Sequence, residues 1–115
     1  MRQFAMMIAV SSAVSALGSV ASAEEWRLLT GPQAHVALEG KALVYDNGAS
    51  QTFHASGRTL YNAGHDSWGS WAIRDGQYCS TWPPSNLWAC YGLETDGTAL
   101  RFVGEHGAIT VGRYQ

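Results

Sequence analysis

The stretch Trp71-Ala72-Ile73-Arg74-Asp75-Gly76-Gln77-Tyr78-Cys79-Ser80-Thr81-Trp82-Pro83-Pro84-Ser85-Asn86-Leu87-Trp88-Ala89-Cys90-Tyr91 carries two turn signals and both cysteines of the chain. Asp-Gly between runs of aromatic and β-branched residues marks a two-residue hairpin, because both turn positions need the positive φ that these residues tolerate. Centred on Asp75-Gly76, the hairpin sets Ile73 opposite Tyr78, Ala72 opposite Cys79 and Trp71 opposite Ser80. A second hairpin centred on Pro84-Ser85 sets Tyr78 opposite Tyr91 and Cys79 opposite Cys90. Opposed cysteines on neighbouring strands are within reach of a disulfide. Two separate turns therefore predict one cross-link.

Outward from this core, turn signals recur at short intervals: Asn47-Gly48, Ser56-Gly57, Asp96-Gly97 and His106-Gly107. They separate β-rich runs at about 42–46, 50–55, 58–62, 67–74, 77–82, 87–94, 98–104 and 108–114. Such spacing predicts a mainly β fold, an antiparallel meander of about eight strands closing into a small barrel or sandwich. Alternation collects Val44, Phe53, Leu60, Trp71, Ile73, Tyr78, Trp82, Leu87, Ala89, Tyr91, Leu93, Leu100, Phe102, Ile109 and Val111 on one face, as an inward-facing closed sheet requires. Eight strands leave room for packed side chains or one small ligand. The bulk of the inward aromatics favours a filled core. Ahead of the strands, Thr30-Gly31-Pro32-Gln33 has a capping-box pattern with proline in the first turn, and Gly40 suits the C-terminal stop. One short helix is predicted at 31–39, with Leu29 or Trp26 beside it.

The first 23 residues combine one early positive charge, an apolar stretch from Phe4 to Val20 and an Ala21-Ser22-Ala23 end. These are the three parts of a secretory signal peptide. Four serines and a glycine dilute the stretch below the roughly 20 strongly apolar residues of a bilayer span. Cleavage after Ala23 would leave a single domain at 24–115 with no transmembrane segment. Its six Lys/Arg against nine Asp/Glu give a formal charge of −3, which does not favour nucleic acid or an acidic membrane surface as partner. A domain this small buries roughly 60–68% of its unfolded surface, so a cross-link would help. Export would place Cys79 and Cys90 in an oxidising compartment. Their spacing, with no histidine between them, matches no common zinc site.

The run from Trp68 through Trp82 to Cys90-Tyr91 has the form G-x-W, apolar, Asp-Gly turn, C-x-x-W, then a second cysteine in the next strand. It resembles small secreted proteobacterial proteins of unknown function, nearest to the domain of unknown function 995. The Leu29-Thr30-Gly31 entry and the Gly40-Lys41 exit of the helix are similar to that group as well. The resemblance implies a calycin-like, lipocalin-like small β-barrel outside the cytoplasm. It brings no established active site.

Catalytic and metal signatures are sparse. His35, His54, His65 and His106 form no H-x-H or H-x-x-x-H pair, and His65-Asp66 suits a polar turn as well as a site. Gly69-Ser70-Trp71 matches a G-x-S-x-G elbow only in part and lies in a strand. No catalytic residue, metal ligand or cofactor is assigned. The candidate binding residues are the aromatics expected on the outer face: Tyr45 and Tyr61 flanking His54 on one patch, with Trp68 also on that face and Trp88 there near the disulfide. Exposed rings of this kind suit a protein, glycan or envelope partner; alternatively the helix or the Trp26 segment covers them as a second small core. The expected function is a non-catalytic binding module, inhibitor-like or envelope-associated. A lipocalin-like carrier of a small apolar ligand and an unrecognised small hydrolase are the alternatives.

Overall fold

The computed structural model describes residues 25–115; the leader expected at 1–23 lies outside the described residues. Strand β1 (Arg27–Leu28) leads into helix α1 (Gly31–Leu38). Eight strands follow: β2 (Lys41–Tyr45), β3 (Ser50–Phe53), β4 (Arg58–Asn62), β5 (Asp66–Arg74), β6 (Gln77–Thr81), β7 (Ala89–Thr95), β8 (Ala99–Val103) and β9 (Ile109–Tyr114). Each of β2–β8 is antiparallel to the next or, for β2 and β9, to the strand that closes the ring. The result is a closed eight-stranded barrel, in which β1 only extends the edge of β7 through Arg27–Thr95 and Leu28–Glu94. No helix among the described residues is long and apolar enough to cross a membrane.

The helix forms where its caps dictate. Gln33 N–H donates to the Thr30 hydroxyl (3.3 Å) and Thr30 N–H to the Gln33 side-chain oxygen (3.0 Å), so two otherwise orphaned donors are satisfied. Gly40 adopts φ 74° at the exit. Ala34 and Leu38 are fully buried, and with Leu29 they close one end of the barrel. Against that plug sit Phe53, Leu43, Leu93 and Leu100, all fully buried. Phe53 meets Trp71 and Tyr78 edge-on, at 5.7 and 5.8 Å between ring centroids. Each such ring contributes about 1.5–3 kcal/mol through burial.

The central hairpins have the expected register. Asp75 (φ 51°) and Gly76 (φ 79°) make the two-residue turn, and Ile73–Tyr78, Ala72–Cys79 and Trp71–Ser80 face one another. Tyr78 faces Tyr91, Cys79 faces Cys90, and the two cysteines are disulfide-bonded. Trp88 and Leu87 precede β7, so Leu87 is exposed rather than inward, and Ala89 is exposed too.

Three strands present the opposite face from that expected. Val44, Leu60, Ile109 and Val111 face inward only if Asn47-Gly48, Ser56-Gly57 and His106-Gly107 are two-residue turns. Each loop instead has three residues. Tyr45 N–H donates to the Ala49 carbonyl, His54 N–H to that of Arg58 and Gly104 N–H to that of Ala108. The third loop residue is a glycine with positive φ: Gly48 at 91°, Gly57 at 94° and Gly107 at 80°. One extra residue slips the pairing by one and exchanges the two faces of the next strand. Leu43 and Tyr45, Thr59 and Tyr61, and Thr110 and Gly112 therefore line the interior.

Candidate functional site

The hairpin connections alternate between the two ends of the barrel. Helix α1 blocks one end, where Gly31 adjoins Gly76 and Ile73 and the His35 ring stacks on Trp71 at 5.7 Å. The other end opens into a cup of about 580 Å³ with Asn47, Ser67, Pro83 and Thr110 at its rim. That volume is in the range of small-molecule sites.

Below the rim, the walls are Tyr61, Trp82 and Tyr91, and the floor is Tyr45, Gln51, Tyr78, Ser80 and Phe102. Glycines seat two of these rings. A Cβ on Gly69 would meet the Trp82 ring at 2.6 Å and the Thr81 carbonyl at 2.7 Å, so Trp82 lies against bare backbone. A Cβ on Gly112 would come within 3.0 Å of the Tyr45 ring, which covers that glycine from the paired strand. Tyr61 and Trp82 then meet edge-on at 6.0 Å.

The floor is polar and connected. Tyr45 O–H donates to Gln51 Oε1 (2.6 Å), and Gln51 Nε2 donates to Thr59 Oγ1 (2.9 Å) and to Tyr78 Oη (3.1 Å). Thr59 passes its hydrogen to the Thr52 carbonyl (2.8 Å), and Trp82 Nε1–H donates to Ser80 Oγ (3.2 Å). Gln51 is only 5% exposed, so its amide would be costly to bury without these partners. Burial pushes the Tyr45 phenol far above its usual range, with Tyr78 and Tyr61 adding to the rise. Burial raises Tyr78 as well, against the lowering effect of its bonds to Ser80 and Gln51. Among the described residues, no Asp, Glu, Lys, Arg or His lines the cup.

The five candidate aromatics separate into three places. Tyr45 and Tyr61 point into the cup, a correction to their expected outer position that follows from the three-residue loops before β3 and after it. His54 and Trp68 stack at 5.7 Å on the outer face, with the Arg58 guanidinium 4.7 Å above the Trp68 ring, and Trp68 also borders the cup beside Ser67. Trp88 lies apart, under Arg74 at 3.8 Å. Trp26 stacks beneath Arg101 (4.5 Å), which pairs with Glu94, and so covers neither group. Gln51 and Ser80 were not among the candidates. Their signal was the alternation itself, since Gln51 shares a face with Phe53, and Ser80 shares one with Tyr78 and Trp82.

The remaining histidines are spread over the surface: His35 is 3.5 Å from Glu39 on the helix, and His65 and His106 are in exposed loops. Among the described residues, no three His, Cys, Asp or Glu side chains converge as a metal site would need. The arrangement can enclose a small molecule between aromatic walls and offer it hydrogen bonds from below. No family model matches the chain, and neither a curated protein nor a solved structure matches it.

Proposed function

We propose that the chain is an exported, non-catalytic binding module that holds a small, largely apolar molecule in the cup. The observation that carries this reading is an aromatic-walled cavity, free of charged side chains among the described residues, open at one end of an otherwise packed barrel. Export is supported by the leader pattern at 1–23 and is compatible with the Cys79–Cys90 disulfide. Membership of the secreted family named above belongs to the same proposal and rests on the Trp68–Tyr91 motif with the Leu29-Thr30-Gly31 and Gly40-Lys41 ends of the helix. Titration with N-phenyl-1-naphthylamine, an uncharged dye that brightens in apolar sites, tests it. One dye per protein should bind, and Thr110→Trp, which narrows the mouth, should weaken binding roughly tenfold or more. No dye binding, or binding indifferent to Thr110→Trp, would contradict the reading.

A second reading places a protein, glycan or envelope partner on the outer surface. It is favoured by Trp68, 45% exposed and framed by His54 and Arg58. Here Trp68→Ala should abolish capture of the partner while leaving the melting temperature unchanged.

A further inference from the structure

The cup floor has a definite hydrogen-bond polarity. Each hydrogen can be spent once, and the floor network spends most of its own internally. The Tyr45 hydrogen goes to Gln51, both amide hydrogens of Gln51 go to Thr59 and Tyr78, the Thr59 hydrogen goes to a backbone carbonyl, and the Trp82 indole hydrogen goes to Ser80. The hydroxyls of Tyr78 and Ser80 each accept one hydrogen in this network and donate to none of its members. Acceptor capacity is left over: Tyr45 Oη accepts nothing in this network, and Gln51 Oε1 has used one lone pair of two. An incoming group therefore meets, at the bottom of the cup, oxygens of Tyr45 and Gln51 that can only accept, beside the Tyr78 and Ser80 hydroxyls, which can accept or donate.

Charge narrows the choice further. Among the described residues of the lining, a carboxylate, which is acceptor-only, would find no Lys, Arg or His, and an ammonium would find no carboxylate. Burying either ion without a counter-charge is expensive. The raised phenols of Tyr45 and Tyr78 keep the floor neutral at ordinary pH. The walls contribute ring edges and faces that suit a flat, apolar body.

Building on the cup as the binding site, we infer that its ligand is an uncharged ring compound whose buried end is a hydrogen-bond donor, with a hydroxyl as the simplest case. Gln51 is the residue that sets this preference, because it takes up the Tyr45 hydrogen and so turns the Tyr45 oxygen into an acceptor.

Calorimetric titration of the oxidised protein near pH 7 with 2-naphthol, 2-methoxynaphthalene and 2-naphthoate separates the outcomes. The three share a body and differ at the head: donor, acceptor only, and anion. The naphthol should bind roughly fivefold or more tighter than either of the others, as one buried hydrogen bond permits. A smaller preference, or a reversed one, overturns the inference while leaving the cup as the binding site. Binding of none of the three overturns both. Gln51→Leu returns the Tyr45 hydrogen to the cup, so the methoxy compound should then bind as well as the naphthol. A preference retained in this variant, if it still unfolds cooperatively, also overturns the inference. If Gln51→Leu does not fold, the three wild-type titrations decide.

Discussion

Gly69 illustrates how a residue without a side chain can build a site from side chains. Trp82 occupies the space a Cβ would need, and the second obstacle to that Cβ is the Thr81 carbonyl, which cannot swing aside. Gly69→Ala should therefore cost about 1–3 kcal/mol through overpacking, and the displaced Trp82 ring should be detectable in the near-ultraviolet circular dichroism. Urea midpoints of the two proteins measure the loss; equal midpoints would show that the strand yields. Gln51 acts in the opposite sense, as a side chain whose every hydrogen is committed to its neighbours. The identity of each residue was available in the sequence, but the reason for it was not. A glycine in a strand reads as a weakness until the ring across the sheet is known, and a glutamine in an alternating pattern reads as surface until the parity of its strand is settled.

Hairpin loops decide that parity. Asp75-Gly76 was legible because aspartate and glycine both accept positive φ, and the register that follows delivered Cys79 to Cys90. Asn47-Gly48, Ser56-Gly57 and His106-Gly107 have the same written form, yet each glycine there is the last of three loop residues. Serine is a poor occupant of the positive-φ position in a two-residue turn, so Ser56 held a clue to the longer loop. Strand existence survived this ambiguity because it depends on composition and spacing. Side-chain direction did not, because it changes with every single-residue slip. Asp96-Gly97 did no such harm: Leu93 pairs with Phe102 across a four-residue connection, a difference of two that preserves the face. The β6–β7 pair also carries the covalent link, which closes a loop of eleven residues. Replacing both cysteines with alanine should lower unfolding free energy by about 3 kcal/mol, the loop-closure value for this length. An unchanged urea midpoint would mean that strand pairing alone holds β6 to β7.

At the scale of the whole molecule, the barrel is packed near α1 and polar but uncharged toward its mouth. The phenols of Tyr45 and Tyr78 ionise near 10.0 when free of the fold, and burial holds both neutral well above that value. Above about pH 10 the unfolded chain thus releases protons that the native barrel retains. The contribution of these two groups to stability is fully present below that pH and is lost as pH rises past it. Thermal unfolding should be insensitive to them between about pH 7 and 9 and weaken steeply beyond about pH 10; Tyr45→Phe should flatten that decline. A decline equally steep in the variant would assign alkaline unfolding to other groups. The plug made by α1 has a different kind of consequence. Among the described residues a barrel sealed at one end has a single doorway, so under the proposed function a molecule held in the cup could not be passed through from one side to the other. Under the proposed function, whatever loads the protein and whatever unloads it would dock at the same rim of Asn47, Ser67, Pro83 and Thr110 and would take turns there.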